Sequence, residues 1–164
     1  MFDAVEDVLV KWERYVDEEQ ICSKFPTEQW QHIAGDIQSD AEWADFVGRY
    51  INSVKCWVLK IRATNLPIAF IYIFNEDGMW KSVSIHGGGW GSPLIYYRGF
   101  ILILKHFLGH GLKVRTYCKL SNPRAIRFVR GVGFWPYRYT EDEVFMWISE
   151  KKLKNSMLYK YFYD

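Results

Sequence analysis

The fold is decided by the stretch Lys81-Ser82-Val83-Ser84-Ile85-His86-Gly87-Gly88-Gly89-Trp90-Gly91-Ser92-Pro93. Its first part, residues 81–86, alternates polar and apolar side chains and predicts a strand. The glycine-rich residues 87–92 predict a loop, and Pro93 opens a long apolar helix predicted to reach residue 108. A loop that leads directly into a helix N-terminus collects backbone N–H groups where the helix dipole favours negative charge. The stretch therefore predicts a site for an anionic ligand.

The segments on either side predict one mixed sheet. Downstream, residues 112–118 form a strand that must run parallel to 81–86, because a crossover helix joins the two. A helix then opens at Asn122, and strands 134–139 and 144–148 follow. Upstream, strands 54–62 and 68–74 and the turn Asn75-Glu76-Asp77-Gly78 predict a meander with strand 80–86. We therefore expect an α/β fold with a mostly antiparallel sheet flanked by helices.

The N-terminal third is predicted to be helical. Apolar side chains recur at helical spacing over residues 3–20, from Val5 through Val8 and Leu9 to Trp12. A second helix is expected over 26–35. Ser39-Asp40-Ala41-Glu42 is a capping box that opens a third helix to about residue 51. With no linker or repeat in the sequence, residues 1–164 are expected to form a single domain.

Composition argues against several classes of function. The net charge of +2, from 21 basic and 19 acidic residues among 164, is too balanced to favour a nucleic-acid or membrane partner. The three cysteines, Cys22, Cys56 and Cys118, form no C-x-x-C pair, and the N-terminus lacks a signal-peptide pattern, so we expect a cytoplasmic protein. No Cys, His or carboxylate spacing predicts a metal site.

Two motifs carry a family resemblance. Asn122-Pro123-Arg124-Ala125, followed by Gly133-Phe134, matches an N-x-x-A…G-F helix, and the segment from His86 to Gly91 matches a Q/R-x-x-G-x-G/A loop with His in the first place. Together with the order of elements, they resemble the GCN5-related N-acetyltransferase (GNAT) family over roughly residues 54–148. The resemblance implies a parallel strand pair that splays apart at its C-terminal ends, acetyl-CoA as the donor and an amine as the acceptor.

The resemblance also implies regions and a cofactor site. Residues 1–53 would form the acceptor side and 54–148 the cofactor-binding core. Residues 149–164, outside the resemblance, form an aromatic and basic tail that we expect to cover the sheet or form a homodimer interface. The pantetheine arm would pair with strand backbone, the pyrophosphate would lie on the loop, and the N-x-x-A asparagine would contact the cofactor. The expected cofactor-binding residues are Ser84, Ile85, His86, Gly89, Trp90, Gly91, Ser92 and Asn122.

Catalysis needs a base for the attacking amine and an acid for the leaving thiolate. His86 is the expected base, because imidazole titrates near neutrality and lies at the mouth of the splay. The family often places a tyrosine acid seven residues after the motif asparagine, but this chain has Val129 there. Tyr117 is the expected substitute, with Tyr137 as a second choice, and the thiolate can also leave unassisted.

Simpler roles compete with these assignments. The glycines can form an ordinary turn, His86 can be structural, and Asn122 is foremost a helix N-cap. Gly133 suits a left-handed helix stop and Phe134 core packing. Arg124, Arg127 and Arg130 can meet CoA phosphates or form a solvated helix face. Cys118 is expected to be a small buried residue, with a role as nucleophile as the alternative. Glu141–Glu143 can attract a cationic amine or form an ordinary charged loop.

Other functions remain open at this point. A catalytically silent module that binds CoA or a protein is one alternative, favoured by Val129. A nucleic-acid-binding module that uses the arginines of 124–130 and the aromatic tail is a weaker one. The lipase oxyanion motif suggested by His86-Gly87-Gly88-Gly89 is excluded, because no G-x-S-x-G nucleophile elbow follows it.

Overall fold

The computed structural model describes residues 4–15, 39, 41–42, 45, 54–89 and 92–163. The chain divides into two compact units. The first comprises the residues up to Phe74 together with His86–Tyr96, and the second comprises Asn75–Ile85 together with the residues from Tyr97 onward. One strand and one helix therefore contribute to both units.

The first unit is built on strands. These are β1 (Ala4–Glu6), β2 (Val10–Tyr15), β3 (Val54–Ile61), β4 (Leu66–Asn75) and the second half of β5 (Ser82–Gly89). The last residue of β4, Asn75, belongs to the second unit. Strands β1 to β4 pair antiparallel in chain order, and β5 follows β4 in the strand order. Trp12, Trp57, Phe70 and Ile71 are fully buried, so wide apolar side chains form the core of this unit.

The predicted helix over residues 3–20 is wrong, because two strands occupy this segment. Val8 and Leu9 are 78% and 53% exposed in the turn, whereas Val10 and Trp12 are fully buried at the spacing of two that a strand requires. The Asp7 carboxylate accepts the N–H groups of Leu9 at 2.7 Å and Val10 at 2.9 Å, which fixes the turn. The described part of the N-terminal third is therefore strand-rich, and residues 4–15 form two strands and a turn instead of a helix.

Little of the other two predicted N-terminal helices can be compared with the structure. The helix expected over 26–35 lies outside the described residues. For the helix expected over 39–51, residues 41, 42 and 45 are helical. Ser39 Oγ accepts the N–H of Glu42 at 3.2 Å, as the capping box predicts.

The second unit contains the rest of the chain. Its elements are the first half of β5, α1 (Pro93–Gly109, from Tyr97), β6 (Lys113–Lys119), α2 (Pro123–Gly131), β7 (Trp135–Tyr139), β8 (Glu143–Ile148), α3 (Glu150–Asn155) and α4 (Met157–Tyr163). The strand order is β5-β6-β8-β7, parallel between β5 and β6 and antiparallel elsewhere. The crossover prediction is thus confirmed, as is the mixed, mostly antiparallel sheet.

The end of α2 has the geometry that the sequence predicts. Gly133 has φ +111, and a Cβ there would lie 2.8 Å from the carbonyl oxygen of Lys152, so only glycine fits. Phe134 is fully buried and stacks on Phe100 with ring centroids 6.3 Å apart. Both the helix stop at Gly133 and the core role of Phe134 are confirmed.

The C-terminal tail folds onto α1. The Lys105 ammonium of α1 lies 4.3 Å from the Tyr163 ring centroid and 5.6 Å from that of Tyr159. A Cβ at Gly131 would lie 3.3 Å from Leu158 Cδ1, so α4 also passes close to the end of α2. Cation–π contacts with Lys105 therefore give the tail rings Tyr159 and Tyr163 a structural role within the chain.

Candidate functional site

The parallel ladder between β5 and β6 is short. It consists of three pairs, Ser82–Lys113, Val83–Val114 and Ser84–Arg115. The carbonyl oxygen of the next residue, Ile85, accepts a hydrogen bond from a side chain, Thr116 Oγ1, at 2.7 Å. Thr116 is 5% exposed, so this bond lies away from water. A hydroxyl group therefore takes the position where the backbone ladder would continue.

Thr116 is a residue that the sequence reading missed. Strand β6 alternates exposed and buried side chains, and the buried ones are Val114, Thr116 and Cys118. A threonine between two apolar residues on the buried face was the available signal. A buried hydroxyl needs a partner, and the partner here is the carbonyl oxygen of Ile85.

Strand β5 continues to Gly89, so Gly87, Gly88 and Gly89, which were predicted to begin a loop, are strand residues. A Cβ on Gly87 would overlap the carbonyl oxygen of Phe70 in β4. A Cβ on Gly89 would lie 3.1 Å from both Ala69 Cβ and Tyr96 Cγ. The predicted strand end at His86 is therefore wrong. The glycines that suggested a loop are needed in the strand because β4 approaches too closely for side chains. Of the expected loop residues, Trp90 and Gly91 lie outside the described residues.

Helix α1 begins at Pro93, as predicted. Its first intrahelical bond runs from the N–H of Tyr96 to the carbonyl oxygen of Ser92 at 3.2 Å. The N–H groups of Leu94 and Ile95 precede that bond, so the helix has no carbonyl for them. The first turn contains no acidic residue, and Ser92 and Leu94 are exposed. This end of α1 can therefore accept a negatively charged group.

His86 lies near the middle of β5. Its side chain is half-buried, and its ring meets the Phe74 ring edge-on, with centroids 5.6 Å apart. Desolvation lowers the pKa of His86 to about 4, because burial penalises the charged imidazolium. The residue is therefore neutral at pH 7, and it does not titrate near neutrality as the sequence reading assumed.

In the second unit, Asn122 is the N-cap of α2. Its side-chain oxygen accepts the N–H of Ala125 at 3.1 Å, and Pro123 occupies the first helical position. The capping role is confirmed. A capping oxygen that faces the helix start is committed to the backbone, so a cofactor contact would use the amide nitrogen of the same side chain.

The candidate acids lie on the exposed face of the strands in the second unit. Tyr117 is 42% exposed, with its ring 5.5 Å from that of Phe145, and Tyr137 is 49% exposed. Val129, at the position of the family's tyrosine, is buried in α2 at 7% exposure. The position that usually supplies a hydroxyl is thus part of the core in this chain.

The other residues considered from the sequence are either buried in the protein or exposed on its surface. Cys118 is buried, and desolvation raises the pKa of its thiol to about 11, so it is protonated at pH 7 and a poor nucleophile. Arg130 lies over the Trp135 ring at 5.3 Å, while Arg124 and Arg127 are exposed on α2. Glu141 lies in the exposed turn before β8.

The described ranges contain neither a candidate metal site nor a helix suited to span a membrane. No group of three or more His, Cys, Asp or Glu side chains in them is arranged to hold a metal ion. No helix in them has the length and apolar character needed to cross a bilayer.

Solved structures establish the fold. A GNAT-family acetyltransferase from Bacillus anthracis superposes with a TM-score of 0.72 at 14% identity, covering 90% of this chain and 99% of that one. A GCN5-related N-acetyltransferase from Brucella melitensis gives 0.68 at 12% identity, covering 91% and 79%. The spermidine N-acetyltransferase of Vibrio cholerae, in complex with CoA and spermine, gives 0.62 at 15% identity, covering 91% and 100%.

This chain therefore has the GNAT fold, as the motifs predict. No protein-family model matches the sequence, and no curated protein matches it at a significant level.

Proposed function

We propose that the chain is an N-acetyltransferase that moves an acetyl group from acetyl-CoA to a primary amine. The observation that carries the proposal is the ladder that stops at Ile85 while β5 continues to Gly89 and leads to α1. A CoA-bound spermidine N-acetyltransferase of the same fold supports CoA as the donor and an amine as the acceptor class.

The backbone of β5 beyond Ile85 would hold the pantetheine arm. Backbone groups of successive strand residues point to opposite edges. The carbonyl oxygen of Lys81 accepts the N–H of Lys113 on the β6 side, and that of Ser82 accepts the N–H of Glu76 on the other side. Continuing this alternation assigns the groups of Gly87 and Gly89 to the edge away from β4. Pantetheine amides would pair there as an added strand does.

Pairing with pantetheine would start later along β5 than the sequence predicts. Ser84 is paired in the ladder and the carbonyl of Ile85 accepts from Thr116, so pairing with pantetheine would begin after them. The pyrophosphate would lie on the segment from Gly89 through Trp90 and Gly91 to Ser92. The N–H groups of Leu94 and Ile95 add donors at the positive end of the α1 dipole.

The reaction forms a nitrogen–carbon bond and breaks the carbon–sulfur bond of the thioester. The N–H of Gly87, next to His86, would donate to the carbonyl oxygen as negative charge develops there. The amine loses a proton, and the thiolate of CoA leaves and takes one up. His86 remains the proposed base and Tyr117 the proposed acid. A pKa of about 4 makes His86 a weak base, so the acceptor amine should arrive already neutral.

A catalytically silent CoA-binding module is the second candidate. It is favoured by Val129, which is buried and carries no hydroxyl at the family's tyrosine position. Turnover would then be absent although the donor still binds.

The proposal keeps a cytoplasmic location. Cys56 and Cys118 are free, as suits a reducing compartment, and acetyl-CoA is an intracellular donor. A homodimer stays compatible with the proposal, and nothing in the mechanism requires one.

Calorimetric titration with acetyl-CoA, and with dephospho-CoA alongside, tests the donor. We expect micromolar binding of acetyl-CoA. Absence of binding at millimolar concentration contradicts both candidate functions. Binding followed by acetylation of a panel of amines supports the transferase, whereas binding with no turnover on any of them favours the silent module.

A further inference from the structure

The second unit contains a cavity of about 460 Å³ at the C-terminal end of α1. Small-molecule sites in proteins commonly have this volume. Leu108 and Gly111 border the cavity, whereas Ser92 lies at the opposite end of the same helix. All the lining residues belong to the second unit, and none of them belongs to the segment proposed for the pyrophosphate.

The floor of the cavity is apolar. Val114 of β6 and Ile148 of β8 are direct partners in the antiparallel ladder, and both are buried, at 1% and 3% exposure. Leu108 and Leu112 add aliphatic surface beside them. Val114 and Ile148 are already withdrawn from water, so an apolar occupant would cover the half-buried Leu108 and Leu112, which is favourable.

Two aromatic side chains border the cavity, and each has a cation next to it. Tyr137 and Trp147 are 49% and 40% exposed. The Arg115 guanidinium lies 5.8 Å from the Tyr137 ring centroid, and the Lys152 ammonium lies 5.0 Å from that of Trp147. Arg115 is also the direct cross-strand partner of Trp147. Flat rings and a guanidinium thus share one edge of the cavity.

The charges at the cavity favour an anion. Lys113 and Arg115 both line it, and the acidic lining residue is Glu150. The Glu150 carboxylate is compensated by Lys154, whose ammonium lies 2.6 Å away. Arg115 has Glu76 nearby, but the 3.9 Å between them is longer than a hydrogen bond. Arg115 can therefore turn its donors toward a ligand without losing a close partner.

We propose that this cavity binds a small amphipathic anion, with a flat aromatic body and one carboxylate. The body would lie between the rings of Tyr137 and Trp147, on the exposed face of the strands that also carries Arg115. The carboxylate would accept hydrogen bonds from the Arg115 guanidinium, whose planar fork matches its geometry, and attract the Lys113 ammonium. This site takes its ligand independently of acetyl-CoA.

The first test compares two probes of the same shape and opposite charge. Naphthalene-2-carboxylate and naphthalen-2-ylmethanamine, which is cationic at pH 7, are titrated into the full-length protein by calorimetry. We expect the carboxylate to bind at least about tenfold more tightly, and saturating acetyl-CoA to leave its affinity unchanged. Equal affinities, no binding of the carboxylate at millimolar concentration, or displacement by acetyl-CoA would each overturn the proposal.

Matched variants locate the site. Arg115→Gln should weaken naphthalene-2-carboxylate about tenfold, whereas Lys119→Gln, on the same exposed face of β6 but outside the cavity, should not. Tyr137→Ala should weaken it as well, whereas Tyr139→Ala, exposed on the same strand, should not. Thermal unfolding checks that each variant is folded.

Lys113→Gln gives a second charge variant on the cavity lining if Arg115→Gln is unfolded. Equal losses in the cavity variants and their controls contradict the assignment. The assay measures binding of the aromatic probe alone. If the probe does not bind, the transferase proposal is unaffected, and if acetyl-CoA does not bind, the proposal for this cavity is unaffected.

Discussion

The two halves of strand β5 differ in how their backbone is used. In the first half, Ser82, Val83 and Ser84 pair with β6, and Val83 and Ile85 are buried almost completely. In the second half, His86, Gly87 and Gly89 are only half-buried, and two of them have no side chain. One strand therefore serves the core at its start and can offer backbone to a ligand at its end. The change occurs where Thr116 binds the carbonyl of Ile85.

The largest effect is expected from a side chain in the second half. Gly87→Val should destabilise the protein by about 4 kcal/mol or more, because its Cβ would overlap the carbonyl oxygen of Phe70. Gly109→Val is the control, since a Cβ there meets nothing within 4 Å. Urea unfolding measures both. Similar midpoints for the two variants would show that β4 does not constrain Gly87.

A pH-dependent effect follows from His86. Its folded pKa of about 4 lies below the ordinary value of 6.5, so the unfolded chain binds more protons between these values. The contribution of neutral His86 to the free energy of unfolding is fully present above pH 6.5. It is lost as the pH falls toward 4, by up to about 3 kcal/mol in total.

His86→Phe removes this titration and keeps an aromatic ring against Phe74. The difference in unfolding free energy between wild type and His86→Phe should therefore change between pH 7 and pH 4. A constant difference would contradict the lowered pKa, and other titrating groups such as His106 cancel in the comparison.

The junction between the halves is tested at Thr116. Thr116→Val keeps the shape of the side chain but leaves the buried carbonyl of Ile85 without its donor, at a cost of about 2 kcal/mol. Thr116→Ser keeps the hydroxyl and should cost about half as much. Chemical denaturation of both variants decides the point. A valine variant as stable as the serine variant would mean that the hydrogen bond contributes little.

The smallest effect concerns the ligand-binding end. Ser92→Glu places a negative charge at the exposed start of α1 and should weaken acetyl-CoA about tenfold, or about 1.4 kcal/mol, without loss of stability. Ser92→Gln has the same size and no charge, and it should bind nearly as the wild type does. Calorimetry compares the two, and equal affinities would place the pyrophosphate elsewhere.

Sequence periodicity was sufficient for most of the chain after residue 54. Strands β3 to β8 and helices α1 and α2 follow from apolar spacing, and the parallel pair follows from the crossover helix. Local chemistry also fixed Asn122 as an N-cap and Gly133 as a helix stop, because both roles depend on the nearby backbone.

The errors have tertiary causes. The spacing of Val5, Val8, Leu9 and Trp12 fits a helix face, but it also fits two strands when Val8 and Leu9 lie in the turn that Asp7 stabilises. Gly87 and Gly89 favour a loop by propensity, but here they are strand residues that lie too close to β4 for a side chain. The partner of Thr116 lies 31 residues away, beyond the reach of any local pattern.

The donor site is tested most directly by amide chemical shifts during a titration with acetyl-CoA. We predict large changes at Gly87, Gly89, Leu94 and Ile95, and small changes at Ser82 and Val83 in the paired half of β5. The cavity at the other end of α1, sampled at Gly111, should stay unchanged. Shifts confined to the paired half or to the cavity, with Gly87 and Gly89 unmoved, would contradict the assignment of the second half of β5 to the donor.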